Sequence, residues 1–219
     1  MKFLNLSLFS VVSIYLSLVS CAAPIQQELG QVPGKLIGIK KIALIPFSSE
    51  QGYSEEESTS YKIPSEKEQF LTNALYNQLV PRVKRVDVVS IESSTSQFAN
   101  VEKENPQLTY KDAALRVGKG LGVDAVLIGN VFVYKEREGN ELSIVSPASV
   151  AFDVELLNTA NGEPIWRNYF TETQKPLFEN VTEVGKFFKR KGTWVTADKI
   201  ATEGVQEVVD KLSKFLEQQ

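Results

Sequence analysis

The sequence predicts an α/β (α+β) domain, a mixed β-sheet of about five strands packed with helices in the order β-α-β-α-β-β-β-α-α. Three observations carry this. Short runs rich in β-branched residues alternate with helical periodicity in the first half of the domain. A hairpin signal, Asn161-Gly162, sits between two alternating segments in the second half. The C-terminal segment carries one unbroken apolar stripe at helical spacing.

The first strand is read from Gly38 to Phe47, where Ile39, Ile42, Leu44 and Ile45 end in Pro46-Phe47. A polar loop from Ser48 to Ile63 follows, and its Glu55-Glu56-Glu57 run reads as a solvated segment. Ser65 and Glu68, directly after Pro64, have the spacing of a capping box. Phe70, Leu71, Ala74, Leu75, Leu79 and Val80 then repeat helically to about Pro81, and Val83, Val86, Val88, Val89 and Ile91 suggest the second strand.

Thr109 with Asp112 opens a further helix whose apolar face holds Ala113, Ala114, Val117 and Leu121. Gly118, Gly120 and Gly122 resemble a phosphate loop in composition only. A nucleotide loop follows a strand and opens a helix, whereas these glycines close a helix and lead into a strand.

Asp124 to Glu138 is the longest strand candidate, with Gly129 marking a bend or a close backbone contact. The hairpin strands run over Val150–Leu157 and Ile165–Thr173, the second carrying Trp166, Tyr169 and Phe170. Helical segments are expected over about 181–191 and 196–217. The right-handed crossover makes the early strands neighbours, with helices mainly over one face in two or three layers.

The N-terminus carries an address. Lys2 precedes an apolar stretch from Phe3 to Leu18 that is broken by Asn5 and several serines. That is shorter than the ~20 apolar residues of a membrane span, and it matches a secretory signal. The run Leu18-Val19-Ser20-Cys21 then resembles the bacterial lipobox. The resemblance implies cleavage before Cys21, diacylglycerol on its thiol, and acylation of the new amine. Cys21 is the only cysteine, so no disulfide partner competes for it. The alternative is an ordinary signal with a chance cysteine.

Two or more acyl chains give stable anchoring where one is marginal. In the lipoproteins this lipobox resembles, Asp directly after the cysteine favours inner-membrane retention; with Ala22 there, the resemblance implies the outer membrane, with the domain facing the periplasm. The chain therefore divides into a signal at 1–20, a lipidated cysteine and tether at 21–37, and an α/β domain at 38–219. Fully stretched, the tether reaches roughly 50 Å.

Composition excludes several chemistries. The chain has 24 basic and 27 acidic residues; removing the signal takes Lys2 and no acid, leaving 23 and 27, a net charge of −4. Mild acidity argues against a nucleic-acid partner. There is no histidine, and the one thiol is assigned to lipid. Ser-His-Asp and Cys-His catalysis, thiol redox chemistry and zinc sites of the usual ligands drop out. No metal and no cofactor beyond the lipid on Cys21 is expected, and no catalytic residue is assigned.

Three segments carry a family resemblance: Lys41–Phe47, Gly122–Val131 after its glycine-closed helix, and the Val150–Tyr169 hairpin. They resemble the periplasmic α/β domains of the group that includes LpoB, CsgG and the TolB N-terminal domain. These motifs mark a fold and no activity. Within that group, the short tether does not suit an LpoB-like reach across the periplasm. Residues 135–149 read as a polar turn and supply no pair of lipid-facing strands for a CsgG-like pore.

Surface candidates are few. Lys186, Lys189, Arg190 and Lys191 form the one dense basic cluster, read as a helix end closed by Gly192 or as a contact with anionic lipid headgroups, acidic glycan or a partner. Trp166 and Trp194 are either core residues or partner anchors. The resulting expectation is a non-enzymatic, membrane-anchored binding, scaffold or accessory domain of a bacterial envelope complex, in cell-wall synthesis, secretion or envelope integrity. Its partners would be the bilayer through Cys21, an envelope protein and, through sheet edges or C-terminal helices, further copies of itself. The alternative is a carboxylate-dependent envelope enzyme acting on glycan, which needs two acids about 5–10 Å apart in one cleft.

Overall fold

The computed structural model describes residues 38–49, 62–139, 144–174 and 195–218. The strands are β1 (Lys41–Leu44), β2 (Asp87–Val88), β3 (Ala125–Lys135), β4 (Glu138–Gly139), β5 (Ile144–Ser146), β6 (Ser149–Asn158) and β7 (Pro164–Thr173). The described helices are α1 (Ser65–Leu79), α2 (Ile91–Glu104), α3 (Tyr110–Leu121) and α4 (Ala197–Glu217). The expected helix over 181–191 lies outside the described residues.

Five strands form one mixed sheet in the order β2-β1-β3-β6-β7. β1 pairs in parallel with β2 and β3, and β3, β6 and β7 form an antiparallel meander. β4 and β5 pair only with each other, a short two-stranded stub on the 135–149 segment.

Strand alternation sends the two faces of the sheet into two cores. On one side Ile42, Leu44, Leu127, Val131, Phe152, Val154, Leu156 and Phe170 pack with Leu71, Leu75 and Leu79 of α1 and the full apolar stripe of α4. On the other, Ala43, Ile45, Val126, Ile128 and Leu157 pack with Phe98 and Val101 of α2 and Ala113, Ala114 and Val117 of α3. Helices thus lie on both faces in three layers, rather than mainly on one. The reason is topological: β2 and β3 flank β1 on opposite sides, so right-handed connections must cross opposite faces.

The glycine-closed helix forms as expected. Thr109 Oγ1 accepts from Asp112 N–H, and Gly122 ends α3 at φ 61°, the left-handed cap that a side chain would strain. The Ser65–Glu68 capping box does not form. Pro64 holds the N-cap position with no side-chain cap bond, and Glu68 turns away to Ser49. The second strand is also shorter than expected. Val83 and Val86 are buried in a loop, pairing is confined to Asp87–Val88, and Ile91 begins α2.

Candidate functional site

Leu18, Val19, Ser20, Cys21, Lys186, Lys189, Arg190, Lys191 and Trp194 lie outside the described residues. Trp166 is described, on β7, and is 8% exposed with its ring centroid 6.5 Å from that of Phe215 in α4. It is a core side chain holding α4 to the sheet, and the surface-anchor reading of Trp166 is corrected accordingly. The alternation of β7 sends residues 166 and 170 to the α4 side, whereas Arg167 and Tyr169 face away.

That opposite side of the meander carries a polar and aromatic cluster. Asp153 on β6 is buried, and its carboxylate takes Arg167 Nη2 at 2.5 Å and Asn130 Nδ2 at 2.9 Å. Glu155, two residues along the same face, takes Arg167 Nε at 2.8 Å. Burial would lower the guanidinium's pKa, but the hydrogen bond from Arg167 to Asp153 and the charges of Asp153 and Glu155 outweigh it and raise it. A β-bulge at Val131/Val133 sets Phe132 beside this network. The Phe132 ring lies 5.9 Å from Tyr169, which is 52% exposed.

A second feature is a crevice of about 540 Å³ between α1 and α2, above the end of β1. Pro46 and Phe47 form its floor. Ser65, Glu68, Gln69, Thr72 and Asn73 line it from α1, and Ile91, Glu92, Thr95 and Ser96 from α2. The floor segment is held along its length. Tyr110 Oη donates to the Pro46 carbonyl at 2.6 Å, and Phe47 N–H donates to Thr72 Oγ1 at 2.9 Å. Ser48 N–H donates to the Gly129 carbonyl, and Ser49 donates through both N–H and Oγ to Glu68 Oε1. Beneath it, the Phe47 ring fills the space a side chain at Gly129 would need, so Gly129 is the close backbone approach its position in a strand suggested. Burial pushes the Tyr110 hydroxyl's pKa well above its ordinary value, so Tyr110 stays a neutral donor to this loop.

A third cluster fastens the start of α4. Asp198 accepts from Lys67 Nζ at 2.7 Å and from the hydroxyl of buried Tyr134, and the Glu136 carboxylate accepts from Ala197 N–H. Burial would raise the Asp198 pKa; the hydrogen bonds from Lys67 and Tyr134 and the charge of Lys67 outweigh it and hold it below the ordinary carboxylate value. Among the described residues, no group of three His, Cys, Asp or Glu side chains is placed to hold a metal ion.

No family model and no curated protein matches the sequence. Similar solved structures include a PelC dodecamer from Paraburkholderia phytofirmans, 15% identical over 81% of this chain and 90% of that one, with TM-score 0.46. The lipoprotein GNA1162 from Neisseria meningitidis is 15% identical over 69% of this chain and 94% of its own, TM-score 0.44. The LpoB C-terminal domain from Escherichia coli is 13% identical over 66% and 90%, TM-score 0.38. Each is a distant likeness, and none supplies an activity or a partner for this chain.

Proposed function

We propose that the protein is a lipid-anchored, non-enzymatic binding or scaffold domain serving a complex of the bacterial envelope, held at the outer membrane and facing the periplasm. The observation that carries this reading is Leu18-Val19-Ser20-Cys21 in a chain whose only cysteine is Cys21 and which has no histidine. One feature of the sequence thus supplies an anchor, and the same composition removes the commonest nucleophile–base pairs. The half-exposed Tyr169 with Phe132 suits recognition of a partner better than turnover, since it offers a rigid apolar contact bordered by charge. Lys186, Lys189, Arg190, Lys191 and Trp194 would add a contact to anionic headgroups or to the same partner, and association with further copies of the chain belongs to the same proposal.

The test is metabolic labelling with a fatty-acid probe. Cys21→Ser should abolish labelling and leave the signal uncleaved, since the thiol is the acceptor. Equal labelling of the wild type and the variant would remove the anchor and the reading built on it.

A further inference from the structure

We infer that the crevice between α1 and α2 is a binding site for a neutral, hydroxyl-rich ligand of saccharide type. Its position comes from the topology. The chain leaves β1 over one face through α1 and leaves β2 over the other through α2 and α3. The two connections part at the carboxyl end of β1, and open α/β sheets take their ligands at such a reversal of strand order. The volume, about 540 Å³, falls within the range of small-molecule sites.

The floor is rigid before any ligand arrives. Pro46, Phe47, Ser48 and Ser49 are each held by a hydrogen bond to α3, α1 or β3, so binding there would order little backbone. The walls are the reverse. Among the described residues, Gln69, Asn73, Glu92, Thr95 and Ser96 make no side-chain hydrogen bond within the protein, and all are exposed. Two amides and two hydroxyls, each able to donate and accept, therefore face one concave space with two carboxylates.

Charge selects the ligand class. Among the described residues, the lining holds Glu68 and Glu92 and neither lysine nor arginine, so a phosphate or carboxylate would meet repulsion without a counter-ion. Hydroxyl groups suit the carboxylates as donors and the amides as acceptors. Pro46 and Ile91, both half-buried, give an apolar floor for the C–H face of a sugar ring, while the Phe47 ring is buried beneath them. The crevice shares no lining residue with the Phe132–Tyr169 cluster and does not depend on lipid at Cys21.

The experiment is calorimetric titration of the full chain in detergent micelles with three neutral tetrasaccharides (chitotetraose, cellotetraose and maltotetraose) and with acidic tetragalacturonate. At least one neutral probe should bind, with the acidic one weaker by about tenfold or more. Asn73→Trp on α1 and Thr95→Trp on α2, both at exposed positions, should each fill the crevice. Each should weaken the neutral ligand by about tenfold or more while leaving the melting temperature unchanged. Failure of all three neutral probes to bind would overturn the proposal. So would equal binding of tetragalacturonate, or binding untouched by both tryptophans in variants that melt normally.

Discussion

The two faces of the sheet are built from the same strands, yet they are finished differently. On the α1/α4 side, Ile42, Phe152 and Phe170 pack in one core with α1 and α4, and α4 alone contributes buried residues from Ala197 to Leu216. Gly204 lets α4 sit so close that an added Cβ would fall 2.5 Å from the Phe170 ring. On the α2/α3 side, the described helices cover β1, the start of β3 and Leu157, and the outer strands carry Asp153, Glu155, Arg167 and Tyr169 instead. One face places its residues in apolar contact, which is non-directional and large. The other has a smaller apolar core under α2 and α3, and on its outer strands a charge network that fixes geometry while adding little net stability. More of the apolar burial therefore lies on one side, and among the described residues the outer strands of the other expose Arg167 and Tyr169.

The largest effect should come from the covered face. Phe152 is fully buried, edge-on to Phe47 and tilted against Phe170. Phe152→Ala should cost about 3–5 kcal/mol in urea unfolding, since its neighbours on two strands and the floor segment cannot collapse into the space. A loss below ~1 kcal/mol would mean that this core is looser than its packing indicates.

The half-covered face should respond in a different pattern. Arg167→Leu strands the buried Asp153 carboxylate with only the Asn130 amide, and should cost about 3 kcal/mol. Replacing both partners, Asp153→Leu with Arg167→Leu, should recover most of that loss, because an apolar pair needs no desolvation of charge. If the double variant is less stable than the single one, the network contributes net stability and the contrast between the faces is wrong.

Much of the covered face was legible in the sequence, and the reasons are specific. Ala197, Ile200, Ala201, Val205, Val208, Val209, Leu212 and Leu216 announce α4 because a helix with one fully buried face must repeat its apolar residues every turn. Asn161-Gly162 announces the β6–β7 turn because Gly162 takes φ 74°. The other side was harder to read. α2 buries only Ser94, Phe98 and Val101 among its fourteen residues, so its serine-rich stretch has too weak a stripe to separate from a loop; Ser90 caps it by accepting from Ser93 N–H. Val83 and Val86 read as strand because they are apolar and β-branched, but burial beneath a loop satisfies them equally well. Neither the Asp153–Arg167 pair nor the crevice has a sequence signature. Each joins residues brought together only by strand register or by helices on opposite faces.

The smallest effect tests a polar fastening on the covered side. Asp198 joins the start of α4 to Lys67 on α1 and Tyr134 on β3. Because its folded pKa lies below its ordinary value, ionised Asp198 stabilises the fold above the unfolded pKa near 3.9, and that contribution is lost as pH falls through the folded value. Asp198→Asn removes the charge at every pH while keeping an acceptor for Lys67 and Tyr134. The side chain is 43% exposed, so water screens the pair and the cost near pH 7 should be only about 0.5–1 kcal/mol. The gap between the wild type and the variant should be constant from pH 7 to about 5, and should close as pH falls below about 4. Melting curves across that range measure it directly. A gap that persists unchanged at the lowest pH where both chains fold would show that Asp198 acts through shape alone. This fastening of α4 would then owe nothing to charge, and the contrast between the covered face and the Asp153–Arg167 side would sharpen.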